Sequence, residues 1–145
     1  MSFSVDVNIL LHSSDTSSSH HRAAADFLAS RLEEPEIFYL AWPTAMAYLR
    51  IATHSAIFAA PLSPREALGN LQSLLSMPRV RPLAEQEGFL DDYTEVTRNL
   101  TVRGNNVPDA HLATLLRQHG IKTLYTNDAD FKKFDFLDAR YPLGS

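Results

Sequence analysis

Two short apolar runs, one near each end of the chain, lead into an aspartate. The first, F-S-V-D-V-N, covers residues 3–8, and the second, I-K-T-L-Y-T-N-D, covers residues 121–128. Both read as buried parallel strands, and in an open α/β sheet ligands collect beyond the carboxyl ends of the strands. Asp6 and Asp128 therefore stand where a ligand is expected. Two carboxylates converging there repel each other unless a cation or a shared proton intervenes. The pattern predicts a metal site at the head of a parallel sheet.

The rest of the chain fits one α/β domain over residues 1–145, with a mainly parallel central sheet flanked by helices. The serine-rich stretch at 13–19 predicts a loop ending in an N-cap, followed by a helix from about His20 to Leu32 with Ala24, Phe27, Leu28 and Leu32 on one face. Residues 36–42, E-I-F-Y-L-A-W, are β-branched and aromatic enough for a strand. Pro43 then opens a helix to about Thr53. S-P-R-E at 63–66 is a capping box with proline at the first helical position, and Ala67, Leu68, Leu71, Leu74 and Leu75 form its apolar face. V-R-P-L is a short strand at most. A helix from about Glu85 to Asn99 turns Phe89, Leu90, Tyr93 and Val96 inward. A turn-rich loop at 101–107 leads to a helix from Pro108 to about His119, closed by Gly120.

Composition narrows the chemistry. The chain has no cysteine, so disulfides and thiolate metal sites are excluded. The formal charge of −4 argues against a protein held to nucleic acid mainly by bulk attraction to phosphate. It leaves room for a nuclease whose acidic site is neutralised by metal ions. No apolar run reaches the ~20 residues of a membrane span, and M-S-F-S-V-D lacks the basic start of a signal peptide. A cytoplasmic protein with no membrane association is expected.

Asp109 is the third candidate acid, one residue after Pro108 in the first turn of a helix. A carboxylate there also interacts favourably with the helix dipole. Asp6, inside an apolar strand, needs a partner, and D-x-N places Asp6 and Asn8 on the same face of an extended chain. Three carboxylates and an amide suit a hard cation, Mg²⁺ or Mn²⁺, more than zinc. The six histidines show no H-x-x-x-H pair. His111, two residues from Asp109, is expected to point to another face.

Taken in order, D-V-N-I-L-L-H, H-H-R-A-A-A-D-F-L, Y-L-R-I-A-T-H, V-P-D-A-H-L-A and T-N-D-A-D-F resemble a PIN-domain ribonuclease, more narrowly the VapC toxins of bacterial toxin–antitoxin pairs. The resemblance runs from about Phe3 to Pro142. It implies that Asp6, Asp109 and Asp128 are catalytic metal ligands, binding directly or through water. Asn8 and Thr126 would support them, with Asp130 an outer carboxylate. It implies Mg²⁺- or Mn²⁺-dependent hydrolysis of a structured RNA such as tRNA, a homodimer, and a cognate VapB-like antitoxin. The substrate-binding residues are not legible, although the loop at 101–107 is a candidate.

One departure stands out. The family pattern places a glutamate on the helix after the second strand, where this chain reads P-T-A-M-A-Y-L-R with alanine at 45 and 47. Glu33, Glu34 and Glu36 fall too early, and Arg50 is a surface residue able to reach phosphate. Two alternatives remain: a catalytically weak or dead PIN fold that binds RNA or a protein partner, and a phosphotransferase using Asp6 as nucleophile. The latter pattern wants an aspartate where Asn8 stands.

Overall fold

The computed structural model describes residues 1–144. Five parallel strands form one sheet in the order β3-β2-β1-β4-β5: β1 (Ser2–Val5), β2 (Ile37–Ala41), β3 (Val80–Leu83), β4 (Thr123–Tyr125) and β5 (Asp138–Arg140). The two apolar runs at the chain ends are neighbours, with Val5 opposite Tyr125. The sheet is parallel throughout. β5, a polar edge strand, carries no hydrophobic signature and is not predicted from the sequence; backbone pairing to β4 alone defines it.

Six α-helices cover the two faces: α1 (Val7–Ser14), α2 (His21–Glu33), α3 (Trp42–Ala52), α4 (Pro64–Leu75), α5 (Phe89–Thr97) and α6 (Val107–Gln118). Alternate strand residues feed separate cores. Phe3, Val5, Phe38 and Leu40 pack with α1 to α4, whereas Ala41, Leu83 and Leu124 pack with α6 and with Phe131 and Phe134. Among the described residues no helix is long and apolar enough to cross a membrane.

Several expected boundaries move for identifiable reasons. β1 stops at Val5, because Asp6 caps a helix: its Oδ1 accepts a 2.7 Å hydrogen bond from the Val7 N–H. The apolar V-N-I-L-L-H segment is thus α1, which buries Ile9 and Leu10, and Asn8 lies in its first turn rather than beside Asp6 on a strand. The serine-rich loop supplies no side-chain cap to α2. Instead the Ser18 hydroxyl accepts from the His20 N–H. α5 begins at Phe89, not Glu85, because Gly88 adopts φ 78°, outside helical space. The segment before it is tied to α6 by a 2.9 Å bond from the Gln86 N–H to Gln118. Leu90, expected inward, is 76% exposed, and Leu68 on α4 is 47% exposed. The capping box forms as read, with both the Ser63 and Glu66 side chains bonded across the helix start.

Candidate metal centre

The site is assembled from three chain segments that reach the carboxyl ends of β1 and β4. Asp6 follows β1, and its N–H donates to the Tyr125 carbonyl at 2.9 Å. Thr126 follows β4, and its N–H donates to the Arg140 carbonyl of β5 at 2.9 Å. The third segment, the first turn of α6, brings Asp109 over this edge.

Asp109, Asp128 and Asp130 each offer a carboxylate oxygen, and the three oxygens lie within 4.8 Å of one another. Asp128 is the cap of a 3-10 turn at Ala129–Lys133, where it accepts from the Asp130 N–H at 2.9 Å. That bond seats the Asp128 carboxylate over the start of the turn that carries Asp130, and the Asp130 carboxylate lies within the tight cluster.

Asp6 sits beside this cluster and is held differently. It is buried, 9% exposed. Its Oδ1 takes the Val7 N–H, while Oδ2 accepts from the Thr126 hydroxyl at 2.8 Å and from the Asn8 amide at 3.2 Å. Thr126, fully buried, also accepts from the Asp128 N–H at 3.0 Å. Asn8 uses its amide oxygen to accept from the Asn127 N–H at 3.2 Å. Thr126 and Asn8 therefore link Asp6 to the segment bearing Asp128, which fixes the relative position of the two carboxylates.

The charges reveal the strain. Burial pushes the Asp6 carboxyl upward, the bonds from Thr126 and Val7 pull it down, and Asp128 raises it further. Asp109 is pushed from an ordinary 3.8 up to about 6, first by burial and then by repulsion from Asp6 and Asp128; Lys133 lowers it and Asp130 raises it. Four mutually repelling carboxylates with one modest cationic offset form a site short of positive charge. An all-oxygen donor set of this kind fits a hard divalent ion.

A cleft of about 230 Å³ opens from this edge between α3 and the start of α6, lined in part by Asp6, Thr44, Ala47, Arg50, Asp109 and His111. Of the two alanines where the resemblance called for a glutamate, Ala45 is fully buried in the core and Ala47 faces the cleft. Of these two positions, 47 is the one that borders the cleft, and it carries only a methyl group. His111 also borders this cleft. Its Nε2 lies 2.6 Å from Glu85. Neither Thr44 nor His111 carried any sequence signal for this placement.

Comparison with known proteins agrees with the geometry. The family model for the PIN domain matches residues 4–137. Ribonuclease VapC48 of Mycobacterium tuberculosis is 41% identical over 142 residues, covering 98% of each chain. Among solved structures, Mycobacterium tuberculosis VapC20, described as a sarcin–ricin loop cleaving toxin, superposes with a TM-score of 0.71 at 18% identity, over 95% of this chain and 98% of that one. VapBC2 from Rickettsia felis, solved bound to a DNA fragment from their promoter, gives 0.67 at 16% identity, over 97% and 98%. A parallel sheet with acids gathered at one edge, matched along nearly its whole length by VapC ribonucleases, makes this chain a member of the PIN-domain family.

Proposed function

We propose that the chain is a metal-dependent endoribonuclease, the toxin of a toxin–antitoxin pair. The observation that carries this is the gathering of the Asp109, Asp128 and Asp130 oxygens within 4.8 Å, with Asp6 alongside. The names of the relatives supply the substrate class, and a structured RNA such as tRNA is the reading we adopt. Asp109, Asp128 and Asp130 would hold a Mg²⁺ or Mn²⁺ ion, with Asp6 contributing directly or through water. When bound, such an ion stabilises charge on the scissile phosphate and activates water. Thr126 and Asn8 hold Asp6 against the Asp128 segment so that the acids need not reorganise. Arg50, on the cleft wall, is free among the described residues to take a phosphate oxygen.

A VapB-like antitoxin is the proposed partner, with an apolar helix entering a groove in the manner of helix-in-groove complexes. A hollow of about 140 Å³ between α1, α2, α3 and α4, lined by Leu10, Leu28, Tyr48, Leu71 and Leu74 together with the polar Ser13, Ser14 and Asn70, supports this placement. Trp42 and Met46, one turn apart on α3 and 40% and 52% exposed, suit a homodimer contact. The protein acts in the cytoplasm on this reading.

Ala47 favours a second reading, a weakened or inactive fold that binds RNA or a protein without cutting. Incubation of RNA with the protein and Mn²⁺, with and without chelator, separates the two. Chelator-sensitive cleavage supports the nuclease; binding without cleavage supports the alternative.

A further inference from the structure

A second hollow, of about 290 Å³, shares no lining residue with the cleft. It is bounded by the end of α5, the last turn of α6 and residues 133–136. Its polar lining includes Asn99, Arg117, Lys133 and Asp135; of its two aromatic residues Phe134 is buried in the core, and Phe136, only partly buried, is the ring open to the hollow. Glu95, also on the rim, is held by Arg98 at 2.6 Å. Arg117 and Lys133 form no ion pair among the described residues. The Arg117 guanidinium lies 5.7 Å from the Phe136 ring centroid, and the Lys133 ammonium lies 5.5 Å from that of Phe134.

We propose that this hollow is a nucleotide subsite for the RNA strand that enters the carboxylate cluster. The assignment rests on the nuclease reading above and adds a place on the protein where the strand is gripped. Two unpaired cations beside a partly exposed aromatic ring are the equipment with which proteins hold single strands: the cations take phosphates and the ring takes a base. With Glu95 paired to Arg98, the two cations face a single anion, the exposed Asp135, and the excess of positive charge favours a phosphate over a neutral protein face.

Lys133 links the hollow to the acids. Lys133 ends the 3-10 turn that Asp128 begins and Asp130 follows. Its charge is also felt at Asp109. Arg117 is eight residues beyond Asp109 on α6, about 12 Å along a helix that rises 1.5 Å per residue. That length matches roughly three to four nucleotides of a stacked strand at 3.4 Å each. A strand cut at the carboxylates would therefore place a base near Phe136 and a phosphate near Arg117 and Lys133 within a few nucleotides of the cut. Contacts at that distance read the strand without taking part in the chemistry.

The test uses the full chain and a fluorescein-labelled ten-nucleotide oligouridylate. Binding is followed by anisotropy in EDTA across a salt series, and cleavage is followed in Mn²⁺. Arg117→Gln should weaken binding and lower the magnitude of the salt slope by about 0.7, one phosphate contact of a single strand. Phe136→Ala should weaken binding at least about fivefold through lost stacking, with the slope unchanged. In cleavage, both should raise KM more than they lower kcat. If the wild type cuts RNA while both variants keep its affinity, slope and KM, the subsite is overturned and the nuclease reading stands. If the wild type neither binds nor cuts RNA, both fail. Loss of a co-expressed antitoxin from either variant, with RNA binding unchanged, would assign the hollow to a protein and overturn the proposal.

Discussion

Replacing Asp109 with asparagine should stabilise the metal-free protein and remove most of its response to metal. The asparagine keeps the size of the side chain and discards the charge, and the Asp109 carboxylate makes no hydrogen bond that asparagine would lose among the described residues. The distance between 3.8 and about 6 corresponds to ~3 kcal/mol at about 1.4 kcal/mol per decade. Asp109 is only half-buried, so solvent screening reduces this to about 1 kcal/mol. Because the native state holds this proton more tightly than the unfolded chain, stability falls as pH rises from about 4 to 6, and the penalty is complete above that. The variant should therefore melt about 2–4 °C higher than wild type at pH 8 in EDTA, with the advantage gone at pH 4. Added Mn²⁺ should reverse the order. The wild type gains about 2.7 kcal/mol at a hundredfold excess over Kd, and the variant gains little. Differential scanning calorimetry at both pH values, with and without Mn²⁺, makes the comparison. If the variant melts lower in EDTA at pH 8, attraction to the end of α6 outweighs repulsion from the other acids, and the charge-starved account of the site is wrong.

Three further outcomes follow from the same contacts. Ala47→Glu places a carboxylate on the cleft wall beside Asp6 and Asp109; it should tighten Mn²⁺ affinity from about millimolar by roughly tenfold, the effect of about 1.4 kcal/mol of added ligand energy, measured by calorimetric titration. Thr126→Val leaves the Asp128 N–H without its acceptor and Asp6 without its hydroxyl donor; urea unfolding should show a loss of about 1–3 kcal/mol. Ser63→Ala removes one half of the capping box on α4; it should cost about 1 kcal/mol with no effect on metal binding, as read by the same urea curves.

The acids were legible because each marks an element boundary. Asp6 ends a strand and Asp128 follows one, so the rule that ligands gather beyond parallel strand ends pairs these two, whereas Asp109, which opens a helix, joins them through the family resemblance. What was not legible depended on side chains choosing among partners. Asp6 looked like a strand residue with Asn8 beside it, yet its carboxylate bonds the next N–H and starts α1. Local capping overrode the period-two pattern over two residues. Asp130 lies in the tight cluster on a turn that Asp128 caps, a placement that no spacing argument ranks above solvent. The cleft residues Thr44, Ala47 and His111 come together only through the packing of α3 near α6, which has no local sequence signature. β5 was missed for a related reason, since a polar edge strand is defined by pairing rather than by burial.

The central claim is that these aspartates form a hydrolytic metal centre. Its most direct measurement is the cleavage of a labelled structured RNA by the wild type and by Asp128→Asn, each in Mn²⁺ and each in EDTA. The amide oxygen introduced by this substitution can still accept from the Asp130 N–H, so the turn survives while the metal loses an oxygen anion. Cleavage by the wild type in Mn²⁺ only, with none detectable for an equally stable variant, is the predicted result. Cleavage that persists in EDTA, or a folded variant as active as wild type in Mn²⁺, would contradict it.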